Sequence, residues 1–92
     1  MIDVSVIGCG NMGGSLIRGL AGSDDYRVTA CDADPAALEN VAPYCDATTT
    51  DAAAATADAD VVFVAVKPDV VGVVLDELDL SPDQTLVTIA AG

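Results

Sequence analysis

The chain contains no histidine and no tryptophan. Without imidazole, the Ser-His and Cys-His relays of hydrolytic enzymes are excluded from this segment. A zinc site would have to be assembled without its commonest nitrogen ligand. The three cysteines, Cys9, Cys31 and Cys45, are odd in number and form no C-x-x-C pair, so they read as small buried thiols. Neither a metal site nor a catalytic side chain is expected. With a single phenylalanine, the core must be built from Val, Ile, Leu and Ala. Positive charge is also scarce. Three basic residues stand against fifteen acidic ones, a formal net charge of -12. Such a surface repels nucleic acid and anionic membranes. The longest apolar run, Val61 to Val66, is far too short to span a bilayer. No basic segment precedes the first strand, so no export signal is read and a cytoplasmic location is expected.

The acid is nearly all aspartate, spread over loops and helix starts, and Lys67 is the only lysine. Dense like charge is tolerable where salt screens it, and near 1 M the Debye length shrinks to about 3 Å. A halophilic source is therefore expected. Ninety-two residues make one domain or part of one, taken as a single unit over residues 1–92. A chain of this length buries only about 60–65% of its unfolded surface, so its stability should be modest.

What is present is an organising stretch near the start. Ile2 to Ile7 is short and rich in β-branched residues, and it runs directly into Gly8, Gly10 and Gly13, a G-x-G-x-x-G spacing. In a dinucleotide-binding turn the first glycine permits the tight bend and the second lets a diphosphate approach the backbone. The third lets the next helix pack on the sheet. Gly13, Leu16, Ile17 and Leu20 then fall on one helical face. Strand, turn and helix together predict a phosphate site at the helix N-terminus, contributed by Ile7, Gly8, Cys9, Gly10, Asn11, Met12 and Gly13.

Further along, Arg27 to Cys31 alternates as a second strand and ends at Asp32. That acid stands where such folds place the acceptor for the adenosine ribose. Its carboxylate and that of Asp34 would repel a 2′-phosphate, so NAD(H) is favoured over NADP(H). Asp34 before Pro35 reads as the N-cap of a helix running to Val41. Cys45 to Thr49 is a marginal third strand, and Asp51 caps an alanine-rich helix. Val61 to Val66 reads as a central strand buried on both faces. Lys67 and Pro68 follow, then a helix over Asp69 to Leu78 whose apolar positions are Val70, Val71, Val74, Leu75 and Leu78. Leu86 to Ala91 reads as a last strand. The order β-α-β-α-β-α-β-α-β predicts an α/β fold with a doubly wound, Rossmann-like parallel sheet. Asp32, Lys67 and Ala91-Gly92 all fall at carboxyl ends of strands, where open α/β sheets bind ligands.

The segments Ile7-Gly8-Cys9-Gly10-Asn11-Met12-Gly13, Ala59-Asp60-Val61-Val62-Phe63, Ala65-Val66-Lys67-Pro68 and Ile89-Ala90-Ala91-Gly92 together resemble the N-terminal dinucleotide-binding domain of pyrroline-5-carboxylate reductases. The resemblance covers essentially the whole chain, and Ala-Val-Lys-Pro followed by Ile-Ala-Ala-Gly is its most specific part. It implies that Gly8 to Gly13 hold the cofactor pyrophosphate. Ala65, Val66, Lys67 and Pro68 would lie along its nicotinamide half, and Ala90, Ala91 and Gly92 would close the floor near the reacting ring. It also implies NAD(H) or NADP(H) as cofactor and, for the full enzyme, hydride transfer to 1-pyrroline-5-carboxylate to give proline. Many members use NADPH and carry small or basic residues where this chain has Asp32-Ala33-Asp34. The family's helical C-terminal domain, which dimerises and forms the imino-acid pocket, is expected to be missing from this chain. The 92 residues alone should therefore bind nucleotide and turn over little or nothing, and the full-length form should be a homo-oligomer. The rival readings are a deazaflavin-dependent NADP reductase domain, an S-adenosylmethionine-dependent methyltransferase, and a non-catalytic nucleotide-binding module.

Overall fold

A computed structural model of the chain describes residues 1–89. Its five strands are β1 (Ile2–Ile7), β2 (Tyr26–Cys31), β3 (Ala47–Thr49), β4 (Val61–Val64) and β5 (Thr85–Thr88). The helices are α1 (Asn11–Leu20), α2 (Pro35–Val41), α3 (Ala52–Thr56) and α4 (Pro68–Glu77), with a short 3-10 turn over Ala42–Tyr44. All strands are parallel, in the order β3-β2-β1-β4-β5. The order reverses between β1 and β4, which opens a crevice at the carboxyl edge of the sheet.

Two apolar layers hold the sheet. On one face Val4, Val6, Val28 and Ala30 meet Ile17 of α1 and Leu38 and Val41 of α2. On the other, Ile7, Val62 and Val64 meet Ala52 and Ala55 of α3 and Val74 of α4. The alanines of α3 work by being small, since they let this short helix lie close to the strands. Asp51 caps α3 by accepting the N–H groups of Ala53 and Ala54, and Asp34 caps α2 through that of Ala36.

The run from Val61 forms an internal strand between β1 and β5, as expected, and β1 is the middle strand although it carries Asp3 and Ser5. Ser5 is only 1% exposed, and its hydroxyl donates to the carbonyl of Ala55 at the end of α3. Val61 and Phe63 are half-buried, because α1 and α2 are centred on β1 and β2 and reach β4 only at its flank. β4 also ends at Val64, two residues earlier than expected. The Ala65 N–H still donates to the Ile7 carbonyl at 2.7 Å, after which the chain turns over the glycine loop. β2 begins at Tyr26 rather than Arg27, β3 keeps only three residues, and α4 begins at Pro68 and ends at Glu77. The last strand begins at Thr85 and ends at Thr88; the remainder of the expected strand at Ala90 and Ala91 lies outside the described residues. Among the described residues, no helix is long and apolar enough to cross a membrane.

Candidate dinucleotide site

The handover from β1 to α1 shows why glycine stands at each of three positions. Gly8 has φ +95°, and a Cβ there would lie 2.6 Å from the Ala65 carbonyl oxygen. At Gly13 a Cβ would land on the Gly8 carbonyl oxygen. Both glycines are therefore required by the protein's own packing. Gly10 is different. A Cβ there would meet nothing within 4 Å, so no internal contact demands its absence. The open space above Gly10 is a cradle that a side chain would fill.

Gly10 is also the N-cap residue of α1, and no side chain caps that helix or places an acid in its first turn. The contrast with α2 and α3, each sealed by an aspartate, is chemical. The free N–H groups at the start of α1 keep their positive partial charge for an external anion.

A cavity of about 520 Å³ lies against this turn, lined by Gly8, Gly10, Asn11, Met12, Asp32, Ala65, Val66, Lys67 and Val70. It sits at the crevice between β1 and β4. Asp32 holds a carboxylate at one end of the lining, and Lys67 brings the chain's only lysine. A smaller adjoining hollow of about 200 Å³ continues past Asp32 and Val66 to Ile7, Ala33, Thr50 and Glu77.

Of the sequence-identified residues, Gly8, Gly10, Asn11, Met12, Asp32, Ala65, Val66 and Lys67 are brought together around the 520 Å³ cavity. Ile7, Cys9, Gly13 and Pro68 do not line it. Ile7 and Cys9 are buried, Gly13 packs beneath the turn, and Pro68 is the first residue of α4. Ala90, Ala91 and Gly92 lie outside the described residues. Val70, assigned by its spacing to the packed face of α4, instead lines the cavity and is 38% exposed. Its signal was available in the sequence, since it stands one turn into the helix that Lys67-Pro68 begins.

Asp32 is half-buried. One carboxylate oxygen accepts the Cys9 N–H at 2.8 Å and the other accepts the Asp34 N–H at 2.9 Å. Burial pushes the Cys9 thiol up to about 12, and the nearby Asp32 carboxylate adds to the shift. Cys31 is pushed to about 11 in the same way, by burial first and Asp32 second. Burial also raises Cys45. All three cysteines are free, and protonated thiols of this kind are poor nucleophiles at neutral pH. Among the described residues, no three His, Cys, Asp or Glu side chains gather as a metal site.

The family model described as "NADP oxidoreductase coenzyme F420-dependent" matches residues 3–92. A pyrroline-5-carboxylate reductase of Pseudomonas aeruginosa is 36% identical over 94 residues, covering 97% of this chain and 34% of that protein. The Mycobacterium tuberculosis 3-hydroxyisobutyrate dehydrogenase, solved with L-serine, superposes with a TM-score of 0.89 at 26% identity, over 98% of this chain and 32% of that one. An imine reductase from Myxococcus stipitatus in complex with NADP+ gives 0.82 at 26% identity, over 98% and 32%, and a variant of it is solved with NAD+. The chain thus spans about a third of the length of these relatives.

Proposed function

The chain belongs to the family of coenzyme F420-dependent NADP oxidoreductases, and on that premise we propose that it is the nicotinamide-dinucleotide-binding domain of a pyrroline-5-carboxylate reductase. The observation that carries the reading is Gly10, whose missing side chain serves no internal contact and leaves space beside the uncapped N-terminus of α1. A diphosphate would rest there on the N–H groups of Gly10, Asn11 and Met12. Asp32 would accept the adenosine ribose hydroxyls. Ala65, Val66 and Lys67, with Val70, would line the nicotinamide half, and Ala90 to Gly92 complete that end by resemblance. Ile7, Cys9, Gly13 and Pro68 shape the turn and the start of α4. The bound cofactor supplies the hydride, while the protein binds and orients it. The substrate of the whole enzyme would be the cyclic imino acid. Its pocket and any dimer contacts would belong to the larger part of the protein that the relatives possess.

The cofactor is NAD(H) in preference to NADP(H), because Asp32 and Asp34 set two carboxylates where a 2′-phosphate would lie and no basic residue follows nearby. The protein works in a salt-rich cytoplasm, a reading supported by the net charge of -12 and the three free thiols. The match to the coenzyme F420-dependent family favours a second reading, in which the hydride passes between a deazaflavin and the nicotinamide. Calorimetric titration of NADH, NADPH and the deazaflavin against the chain in molar KCl tests both cofactor readings. NADH is expected to bind tightest. Tighter NADPH would defeat the charge argument, and deazaflavin binding alone would replace the nicotinamide reading.

A further inference from the structure

The Asp32 carboxylate is engaged before any ligand arrives. β2 ends at Cys31, whose carbonyl accepts the Gly8 N–H at 2.8 Å and lies 3.4 Å from the Cys9 sulfur. One residue beyond Gly8 the chain has left the strand ladder, and the Cys9 N–H finds its acceptor in Asp32. The second oxygen of the same carboxylate takes the Asp34 N–H, which turns the chain into α2. The backbone N–H of Asp32 donates to the Thr49 carbonyl at 3.3 Å, tying the junction to β3. One side chain therefore joins the turn after β1 to the turn after β2, with its own backbone anchored on a third strand.

We propose that Asp32 is a positioning residue for the phosphate-binding turn: its carboxylate, held between the Cys9 and Asp34 amides, fixes the glycine loop in the shape that receives a diphosphate, whichever nicotinamide cofactor carries it. The proposal rests on the cavity taking a dinucleotide, and it goes beyond the discrimination of NAD from NADP. Gly8 is held by the Cys31 carbonyl and by its packing against Ala65, but the exposed side of Gly10 is open, and between the two glycines the anchors are the buried Cys9 side chain and the amide that Asp32 accepts. A hydrogen bond from a backbone amide to a carboxylate is among the stronger kinds, and the Cys9 amide is partly removed from water.

The two roles of Asp32 forecast different results for Asp32→Asn. If its charge alone matters, the cofactor-free protein is unchanged, NADH binds less well and NADPH binds better. If it positions the turn, the carboxamide has only one oxygen to offer. One of the two amides then loses its acceptor, and both cofactors bind more weakly.

The experiment is site-resolved amide hydrogen exchange on the cofactor-free chain in molar KCl, for wild type, Asp32→Asn and Asp32→Ala, followed by titration of each with NADH and NADPH. We expect protection of Cys9 and Asp34 to fall about tenfold or more in Asp32→Ala, and of one of the two in Asp32→Asn. Amides of β1 and β4 should keep their protection in Asp32→Asn, which covers the case in which Asp32→Ala unfolds. Both cofactors should weaken, NADPH by less because a repelling charge has also gone. Unchanged protection at Cys9 and Asp34, or a gain in NADPH affinity in Asp32→Asn, overturns the proposal. If wild type binds neither nucleotide, the dinucleotide reading fails, and the exchange pattern still decides whether Asp32 holds the turn.

Discussion

Gly10→Ala tests whether Gly10 is kept for a ligand where Gly8 and Gly13 are kept for the fold. The backbone at Gly10 has φ -74° and ψ -152°, which alanine can adopt, and the added methyl meets no atom within 4 Å. Alanine reduces the freedom of the unfolded chain, stabilising by about 0.4–1 kcal/mol. It is a poorer N-cap than glycine, by a similar amount. The two effects nearly cancel, so the unfolding free energy from urea melts should stay within about 1 kcal/mol of wild type. Binding should respond differently. The methyl projects about 1.5 Å into the space left for the diphosphate and lifts it from the N–H groups at the start of α1. Loss of one charge-assisted hydrogen bond, about 1.5–3 kcal/mol, weakens NADH about 10- to 100-fold. Gly13→Ala is the counterpart. Its methyl would sit on the Gly8 carbonyl, so the turn and α1 must part, at a cost of about 3 kcal/mol or more. Paired urea melts and calorimetric titrations measure both quantities. Undiminished NADH binding by Gly10→Ala, or a Gly13→Ala protein as stable as wild type, would refute the reasoning.

Other outcomes follow from the core, the thiols and the charge. Ile17, fully buried between α1 and the sheet, should lose about 2–5 kcal/mol on conversion to alanine in a denaturant titration, without a change in cofactor preference. Unfolded thiols ionise near 9.0, whereas Cys9 and Cys31 hold their protons to about 12 and about 11 in the fold. Their contribution to stability is thus complete below about pH 9 and is lost as pH climbs toward 11 and 12. Urea midpoints from pH 8 to 11 should fall, and Cys31→Ala should remove part of that slope. The melting temperature should rise between dilute buffer and molar KCl as self-repulsion is screened. A flat response would remove the case for a salt-rich origin.

The fold and most of the cavity wall were legible because local signals agreed with the global pattern. The glycine spacing sits between a β-branched strand and a helix with one apolar face, while the Asp34 cap stands before a proline suited to the first helical position and the Asp51 cap before a run of alanine. The strand order was harder to read. Hydrophobicity ranked the Val61 run above β1, yet β1 occupies the centre with two polar residues inside it. Ser5 is satisfied by the Ala55 carbonyl, and the Asp3 amide by the Asp60 carboxylate. A buried polar residue with a partner distant in sequence looks like a surface residue until the fold is known. Val70 was read onto the wrong face for a different reason. Helical spacing places it on the packed stripe, but the crevice where the strand order reverses leaves that first turn of α4 uncovered. The twofold hydrogen bonding of Asp32 had no sequence signal either, since it depends on β1 and β2 ending side by side.

Eleven of the thirteen aspartates divide into two populations that a charge count merges. Asp32, Asp34, Asp46, Asp51 and Asp60 each accept a backbone N–H and so hold turns, strand ends or helix starts together. Asp24, Asp58, Asp69, Asp76, Asp79 and Asp83 are exposed carboxylates that colour the surface. To lower the net negative charge without loosening the fold, the second group is the one to replace with lysine or asparagine. The first group acts as mortar, and diluting it would soften the walls between which the nucleotide is held.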